Sequence, residues 1–106
     1  MRHILFVCSQ NKLRSPTAEQ VFAARDDLDV ASAGLNHDAE QPLGAEQVEW
    51  AELIFVMEKA QRSKLQRKFR AQLRGKRVVC LDIPDEYEYM APELVALLQA
   101  RVPRHL

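Results

Sequence analysis

Cys8 and Arg14 are the two residues whose types and spacing suggest covalent chemistry on an oxyanion. Cys8 ends an apolar run that predicts a buried strand, and Arg14 and Ser15 follow six and seven positions later, where a helix is predicted to begin. A loop in that setting directs successive backbone N–H groups inward, where they and the helix dipole hold a tetrahedral oxyanion. The same positive field favours a thiolate, which can attack phosphorus while Arg14 holds two phosphoryl oxygens and Ser15 donates toward the sulfur.

The spacing alone is weak evidence, because ten of the 106 residues are arginine and a given cysteine has an arginine six positions later by chance about one time in ten. The elements around the loop must therefore support the interpretation. Apolar runs predict strands at residues 3–8, 30–33, 53–57 and 77–81. Helices are predicted from Ser15-Pro16 to near Asp26, at residues 43–50, through Leu65, Phe69 and Leu73 up to Gly75, and onward from Pro92. This alternation predicts parallel βαβ units in three layers, with ligands at the carboxyl ends of the strands.

Four segments carry a resemblance to a known family. VCSQNKLRSPTAEQVF resembles the phosphate-binding loop of the low-molecular-weight protein tyrosine phosphatases. VASAGL is similar to the family's segment after the second strand, AELIFVMEKAQRSKL to its third strand and next helix, and DIPDEY to its late Asp-Pro-Tyr segment. The resemblance runs through most of the chain. It implies one phosphatase-like domain over residues 1–106, an α/β three-layer sandwich whose four-stranded parallel sheet has the flavodoxin-like order 2-1-3-4.

The resemblance also implies a metal-independent mechanism with a phosphocysteine intermediate and no cofactor. Cys8 is the expected nucleophile, Ser15 assists its thiolate and Arg14 holds the phosphoryl group. Asp85 is expected to protonate the leaving oxygen and then to take a proton from the attacking water. Asp82 is the weaker candidate for this acid, since its place just after a strand suits a turn or cap residue.

The remaining site residues follow from the same resemblance. The expected phosphate-binding residues are Ser9, Gln10, Asn11, Lys12, Leu13 and Arg14. Asn11 is expected to brace the loop in an unusual backbone conformation with help from Ser32. Lys12 and Tyr87 are expected to form walls of the substrate entrance, where Tyr87 offers a flat apolar face to an aryl group.

Several positions depart from the family's pattern. Leu13 stands where the family often has a second cysteine, and Glu86 stands where it has the proline of Asp-Pro-Tyr. The connection between the second and third strands is short, so a histidine that supports the loop has no clear counterpart. Lys12 replaces the apolar residue usual in phosphotyrosine phosphatases and the threonine of those acting on phosphoarginine. These departures leave the natural substrate open.

Three further functions compete with hydrolysis of a phosphorylated protein or a small aryl phosphate such as phosphotyrosine. Arsenate reduction uses a similar loop but needs further thiols, and Cys80, which the strand pattern predicts to be buried, is the only other cysteine. A phosphoryl carrier of sugar-uptake systems has a similar fold but lacks the arginine and the late acid. A catalytically inactive module would bind a phosphorylated partner, RNA or a nucleotide through the same loop.

Composition limits the partners. Fifteen basic and fifteen acidic residues give zero net charge, which argues against general attraction to nucleic acid or membranes. The charges are nonetheless grouped in blocks. Nine bases and no acid lie from Lys59 to Arg77, and this segment leaves an anionic partner, including nucleic acid, open. The three histidines show no metal-ligand spacing with one another or with the cysteines.

Apolar stretches are short throughout the chain. The longest runs have five residues, well below the roughly 20 that span a bilayer or the 7–15 of a signal-peptide core. We therefore expect a cytoplasmic protein with two free thiols. The oligomeric state is not predicted by the sequence.

Overall fold

Four short apolar segments form one parallel sheet. The strands are parallel because the helix between two successive strands returns the chain to the edge of the sheet where strands begin. The computed structural model describes residues 1–106. Its strands are Arg2–Cys8 (β1), Leu28–Gly34 (β2), Leu53–Val56 (β3) and Arg77–Cys80 (β4), and its helices are Arg14–Phe22 (α1), Ala45–Trp50 (α2), Lys59–Lys68 (α3) and Pro92–Arg101 (α4), followed by the 3₁₀ turn Pro103–His105. The strand order is β2-β1-β3-β4 with every pair parallel, as predicted.

The pleat of β1 sorts the core into two layers. Ile4 and Phe6 point to a cluster that also receives side chains from α1 and α4, while Leu5 and Val7 point to a second cluster with α2 and α3. Both strands at the centre of the sheet are covered on both faces, which explains their continuous apolar sequences. The predicted three-layer arrangement is confirmed.

Two helix boundaries differ from the prediction. α3 ends at Lys68 and not near Gly75, because Phe69 leaves the helical conformation at φ −127° and ψ 34° and its ring packs into the second cluster. Turns fill the chain from there to Gly75, which has a φ of 75°. α1 ends at Phe22 and does not reach Asp26. The other predicted elements agree with the structure to within about two residues.

Trp50 and Cys80 lie at the margin of the core, although the strand pattern predicts that Cys80 is buried. Trp50 is half-buried and stacks on His3 with ring centroids 4.5 Å apart. Cys80 is also half-buried, because β4 is an edge strand, and its thiol donates to Asp82 at 3.4 Å. Partial burial raises the pKa of the Cys80 thiol. Phe55 is fully buried. None of the helices is long and apolar enough to cross a membrane.

Candidate active site

The loop between β1 and α1 carries a run of free backbone donors. None of the backbone N–H groups of residues 9–15 donates a hydrogen bond to another protein group. α1 begins at Arg14 and has no side-chain cap, and Ser15 lies in its first turn. Its hydroxyl is occupied elsewhere, and the uncapped first turn therefore adds its free N–H groups and helix dipole to those of the loop. Such a cradle binds an oxyanion.

Cys8, Ser15 and Asn11 form a buried chain of polar contacts beneath this loop. The Ser15 hydroxyl donates to Oδ1 of Asn11 at 2.9 Å and lies 3.0 Å from Sγ of Cys8. Asn11 has a φ of 57°, the left-handed conformation predicted for it. Because Ser15 has a single hydroxyl proton, that proton is given either to Asn11 or to the sulfur.

The segment after β2 supports the loop through its backbone. Leu35 N–H donates to the Cys8 carbonyl at 2.9 Å, Asn36 N–H to the Ser9 carbonyl at 3.0 Å, and Glu40 N–H to the Gln10 carbonyl at 3.1 Å. These bonds fix the carbonyls outward and leave the loop N–H groups free. The segment after β2 is thus a structural part of the site.

Gly34, where this supporting segment leaves β2, allows the close approach. A Cβ at Gly34 would lie 2.8 Å from the Ser9 carbonyl oxygen and 2.4 Å from the Ala39 Cβ. Such crowding forces the two segments apart, since side-chain and backbone atoms do not approach so closely. Gly44, in contrast, has nothing within 4 Å of the same position.

We expect Gly34→Ala to lower the free energy of unfolding by about 1–3 kcal/mol, as overpacking does, and to weaken phosphate binding. Gly44→Ala, the matched control, is expected to cost less than about 1 kcal/mol and to leave binding unchanged. Urea unfolding and phosphate titration calorimetry of both variants test this. Equal effects of the two substitutions would contradict the tight approach at Gly34.

Ser32 does not make the predicted contact with Asn11. Its hydroxyl donates to Oε1 of Glu19 on α1, and the recorded partner of the Asn11 amide oxygen is Ser15. A hydroxyl has one proton, and the carboxylate is the stronger acceptor. Ser32 therefore ties β2 to α1 and is not the predicted brace of the loop.

Arg14 is almost fully buried, and its guanidinium makes three polar contacts. Its Nη1 donates to the Ile83 carbonyl at 2.7 Å, its Nη2 lies 2.9 Å from Oε2 of Glu58, and its Nε lies 3.7 Å from Oδ1 of Asp85. A buried guanidinium without a compensating carboxylate would be costly. These contacts fix the plane of the guanidinium at the end of the loop.

Glu58 and Gln61 are site residues that the sequence interpretation missed. The Gln61 side chain is buried, and its Oε1 accepts from the N–H groups of Met57 and Glu58 at 2.8 and 3.0 Å. Its Nε2 donates to Oε2 of Glu58 at 3.2 Å and to the Ser9 hydroxyl at 3.3 Å. Gln61 therefore links the carboxylate that pairs with Arg14 to the phosphate-binding loop. The signal was a capping box, with an acid before α3 and a glutamine three residues later.

The loop that carries Asp85 is anchored on both sides of that residue. Ile83 N–H donates to the Met57 carbonyl at 2.9 Å, and Met90 N–H donates to the Thr17 hydroxyl at 2.9 Å. Asp85 consequently borders the same small cavity as the cysteine. This cavity measures about 130 Å³ and is lined by Cys8, Ser9, Gln10, Lys12, Leu13, Arg14 and Asp85. Asp82 lines two other cavities and not this one.

The two residues predicted to form the substrate wall have different positions. Lys12 is exposed and lines the cavity. Tyr87 is half-buried and is not among the lining residues, because its side chain packs against the cluster formed with α1 and α4. Of these two residues only Lys12 borders the cavity, and the wall role of Tyr87 stays a prediction.

Known proteins share this fold over nearly the whole chain. A tyrosine phosphatase from Erwinia amylovora, amsI, is 26% identical with a TM-score of 0.78, covering 97% of this chain and 89% of its own. The YwlE arginine phosphatase from Geobacillus stearothermophilus is 20% identical with a TM-score of 0.75, covering 99% and 92%. A low molecular weight protein tyrosine phosphatase from Streptococcus pyogenes is 16% identical with a TM-score of 0.80, covering 100% and 94%. No curated protein sequence matches this chain significantly.

A cysteine at the base of an anion cradle, in a parallel sheet shared with these enzymes, defines a cysteine-dependent phosphatase. The family model described as low molecular weight phosphotyrosine protein phosphatase matches residues 3–52, which contain β1, the phosphate-binding loop, α1 and β2. Over these residues the chain is similar to that family. Its substrates are accordingly phosphorylated compounds.

Proposed function

We propose that this protein hydrolyses phosphomonoesters of the phosphotyrosine type through a phosphocysteine intermediate, with no metal. One observation carries the proposal: Cys8, Arg14 and Asp85 border a single cavity at the end of a loop whose N–H groups are free. Nucleophile, anion clamp and acid are the three groups that such a reaction requires. The match of residues 3–52 to the phosphatase family model and the tyrosine phosphatases among the similar structures support the same activity.

In the first step the Cys8 thiolate attacks phosphorus, an S–P bond forms and the P–O bond to the leaving group breaks. Asp85, in its protonated form, gives its proton to the departing oxygen. The three non-bridging oxygens lie in the cradle, where free N–H groups and the Arg14 guanidinium stabilise the charge of the transition state.

In the second step water attacks the phosphocysteine, the S–P bond breaks and inorganic phosphate forms. The Asp85 carboxylate takes the proton of the water, which restores the acid for the next cycle. The sulfur leaves as a thiolate, and the Ser15 hydroxyl, 3.0 Å away, turns its proton from Asn11 to the sulfur to stabilise it.

The size of the cavity limits which part of the substrate enters it. A cavity of about 130 Å³ holds little more than the phosphoryl group, so the rest of the substrate stays near the surface. Lys12 at the rim adds a positive charge, and we propose that it favours substrates with a second anionic group near the phosphate.

The cytoplasmic location suggested by the sequence stays a prediction.

Arsenate reduction is not favoured by the arrangement of the thiols. Cys80 is separated from Cys8 by strand β3, borders a different cavity and has a raised pKa. A thiol in that position is poorly placed and poorly ionised for exchange with the sulfur of Cys8. We therefore propose hydrolysis and not a thiol relay.

The experiment is turnover of p-nitrophenyl phosphate with and without a chelator. We expect saturable hydrolysis that EDTA leaves unchanged and that inorganic phosphate inhibits competitively, since product and substrate use the same cradle. Loss of activity with the chelator would contradict the metal-independent mechanism. Phosphate binding with no turnover would instead indicate the catalytically inactive binding module.

A further inference from the structure

The basic segment from Lys59 to Arg77 divides by what its side chains contact. Three of its lysines donate hydrogen bonds into the fold: Lys64 to Asn36, Lys68 to the Leu35 carbonyl, and Lys76 to two carbonyls that precede β3. The other six bases have no hydrogen-bond acceptor and no carboxylate within 4.0 Å; they are Lys59, Arg62, Arg67, Arg70, Arg74 and Arg77. The folded protein therefore leaves the charges of the arginines in this segment unpaired.

Four of these six bases lie along the solvent side of α3 and the turn after it. The inner side of the helix is defined by Gln61 and Leu65, which are buried. Arg67, Arg70 and Arg74 border an open groove of about 380 Å³ on the outer side, together with Ser63, Gln66 and Leu73. Lys59 precedes Ser63 by four residues and so lies on the same side of the helix.

A second cleft lies at the start of α3, beside the loop that carries Asp85. The cleft measures about 400 Å³ and is lined by Met57, Glu58, Lys59, Ala60, Asp82, Ile83 and Pro84. Glu58 and Ile83 both contact Arg14, and Pro84 precedes Asp85 of the cavity. A polypeptide held with its phosphoryl group on Arg14 can thus pass over Lys59 and continue along the groove.

We propose that Lys59, Arg67, Arg70 and Arg74, here called the basic track, bind an acidic segment beside the phosphorylated residue of a protein substrate. This inference rests on the proposed function. Four unpaired cations on one surface complement carboxylates, and arginine forks suit them in geometry. α3 rises about 1.5 Å per residue, so Arg67 lies roughly 13 Å along the chain from Glu58. An extended peptide spans that distance in about four residues, which places the acids about four to seven positions from the phosphorylated residue.

The test compares two phosphotyrosine peptides, one with Glu and one with Gln at positions four to seven on both sides. We expect the wild type to prefer the Glu peptide about three- to tenfold in kcat/KM at low salt, mainly through KM, because exposed ion pairs are individually weak. The preference is expected to vanish near 0.5 M salt, where exposed charges are screened. It is also expected to vanish in the triple variant Arg67→Gln/Arg70→Gln/Arg74→Gln.

Arg25→Gln is the matched control, since it removes a cation that follows α1 and pairs with Asp27, away from the track. We expect it to keep the preference for the Glu peptide. Turnover of p-nitrophenyl phosphate, which is too small to reach the track, separates the two proposals. Equal use of both peptides by an enzyme that hydrolyses p-nitrophenyl phosphate would overturn the basic track alone, whereas no hydrolysis would overturn the proposed function.

A single-stranded RNA of about 20 nucleotides provides the second readout. The RNA and the Glu peptide are added at the same concentration of negative charge. We expect the RNA to compete only weakly, because the basic track offers no exposed aromatic residue for base stacking. Tight RNA binding that the triple variant loses, without any peptide preference, would overturn the proposal in favour of a nucleic-acid surface.

Discussion

Cys8→Ser is expected to abolish turnover of p-nitrophenyl phosphate, with a loss of at least about 10³-fold, while phosphate binding survives. The serine hydroxyl lacks the nucleophilicity of a thiolate, and the only nearby acceptor for its proton is the Ser15 hydroxyl, which is not a base. The cradle is built from backbone donors and Arg14 and does not depend on the sulfur.

Three measurements test this prediction. Steady-state kinetics gives the rate, calorimetric titration with inorganic phosphate gives the affinity, and urea unfolding shows whether the variant is folded. Cys80→Ser is the matched control, because it removes the other thiol from the edge strand and is expected to leave the rate unchanged. Retention of more than about a hundredth of the wild-type rate in Cys8→Ser would refute the covalent mechanism.

A trapped intermediate extends the same test. Acid quenching during turnover is expected to yield wild-type protein with one added phosphoryl group on the peptide that contains Cys8. The corresponding peptide of Cys80→Ser is expected to carry it too, and the peptide around position 80 is expected to carry none.

The structural features that the sequence predicts correctly are those that depend on residues close together in the chain. Continuous apolar runs predicted the central strands because both faces of those strands are buried. Cys8 and Arg14 were predicted to lie together because a single short loop positions both. The left-handed conformation of Asn11 also follows from a local preference, since asparagine tolerates positive φ.

The contacts that sequence interpretation missed join segments far apart in the chain. Glu58 pairs with Arg14 only because β3 lies beside β1, which brings the start of α3 to the phosphate-binding loop. Ser32, which the family resemblance places beside Asn11, instead donates to Glu19 of α1, a contact that no local pattern indicates. Periodicity likewise extended α3 beyond Lys68, since Phe69 and Leu73 remain apolar and buried or half-buried in turns.

The choice between Asp85 and Asp82 as the acid rests on position in three dimensions. Asp85 borders the cavity with Cys8, and its Oδ1 lies 3.7 Å from Nε of Arg14. Asp82 has a φ of 54° at the end of β4, accepts from the Cys80 thiol and lies outside that cavity.

Asp85→Asn is therefore expected to slow hydrolysis of phenyl phosphate by about 10²–10⁴-fold and that of p-nitrophenyl phosphate much less. The amide cannot give a proton, and a basic phenolate leaves slowly without one, whereas nitrophenolate is a good leaving group. Asp82→Asn, the matched control, is expected to change neither rate substantially. The measurement is kcat/KM of both variants across aryl phosphates whose phenols differ in acidity.

The slope of rate against leaving-group acidity distinguishes a proton donor from a residue that only positions Arg14. Loss of a donor steepens the slope, because each more basic leaving group then bears its full negative charge in the transition state. Loss of a contact to Arg14 lowers all rates by the same factor and leaves the slope unchanged, since the phosphoryl group is common to every substrate. A parallel decrease in Asp85→Asn, or a steeper slope in Asp82→Asn, would therefore remove Asp85 from the role of acid.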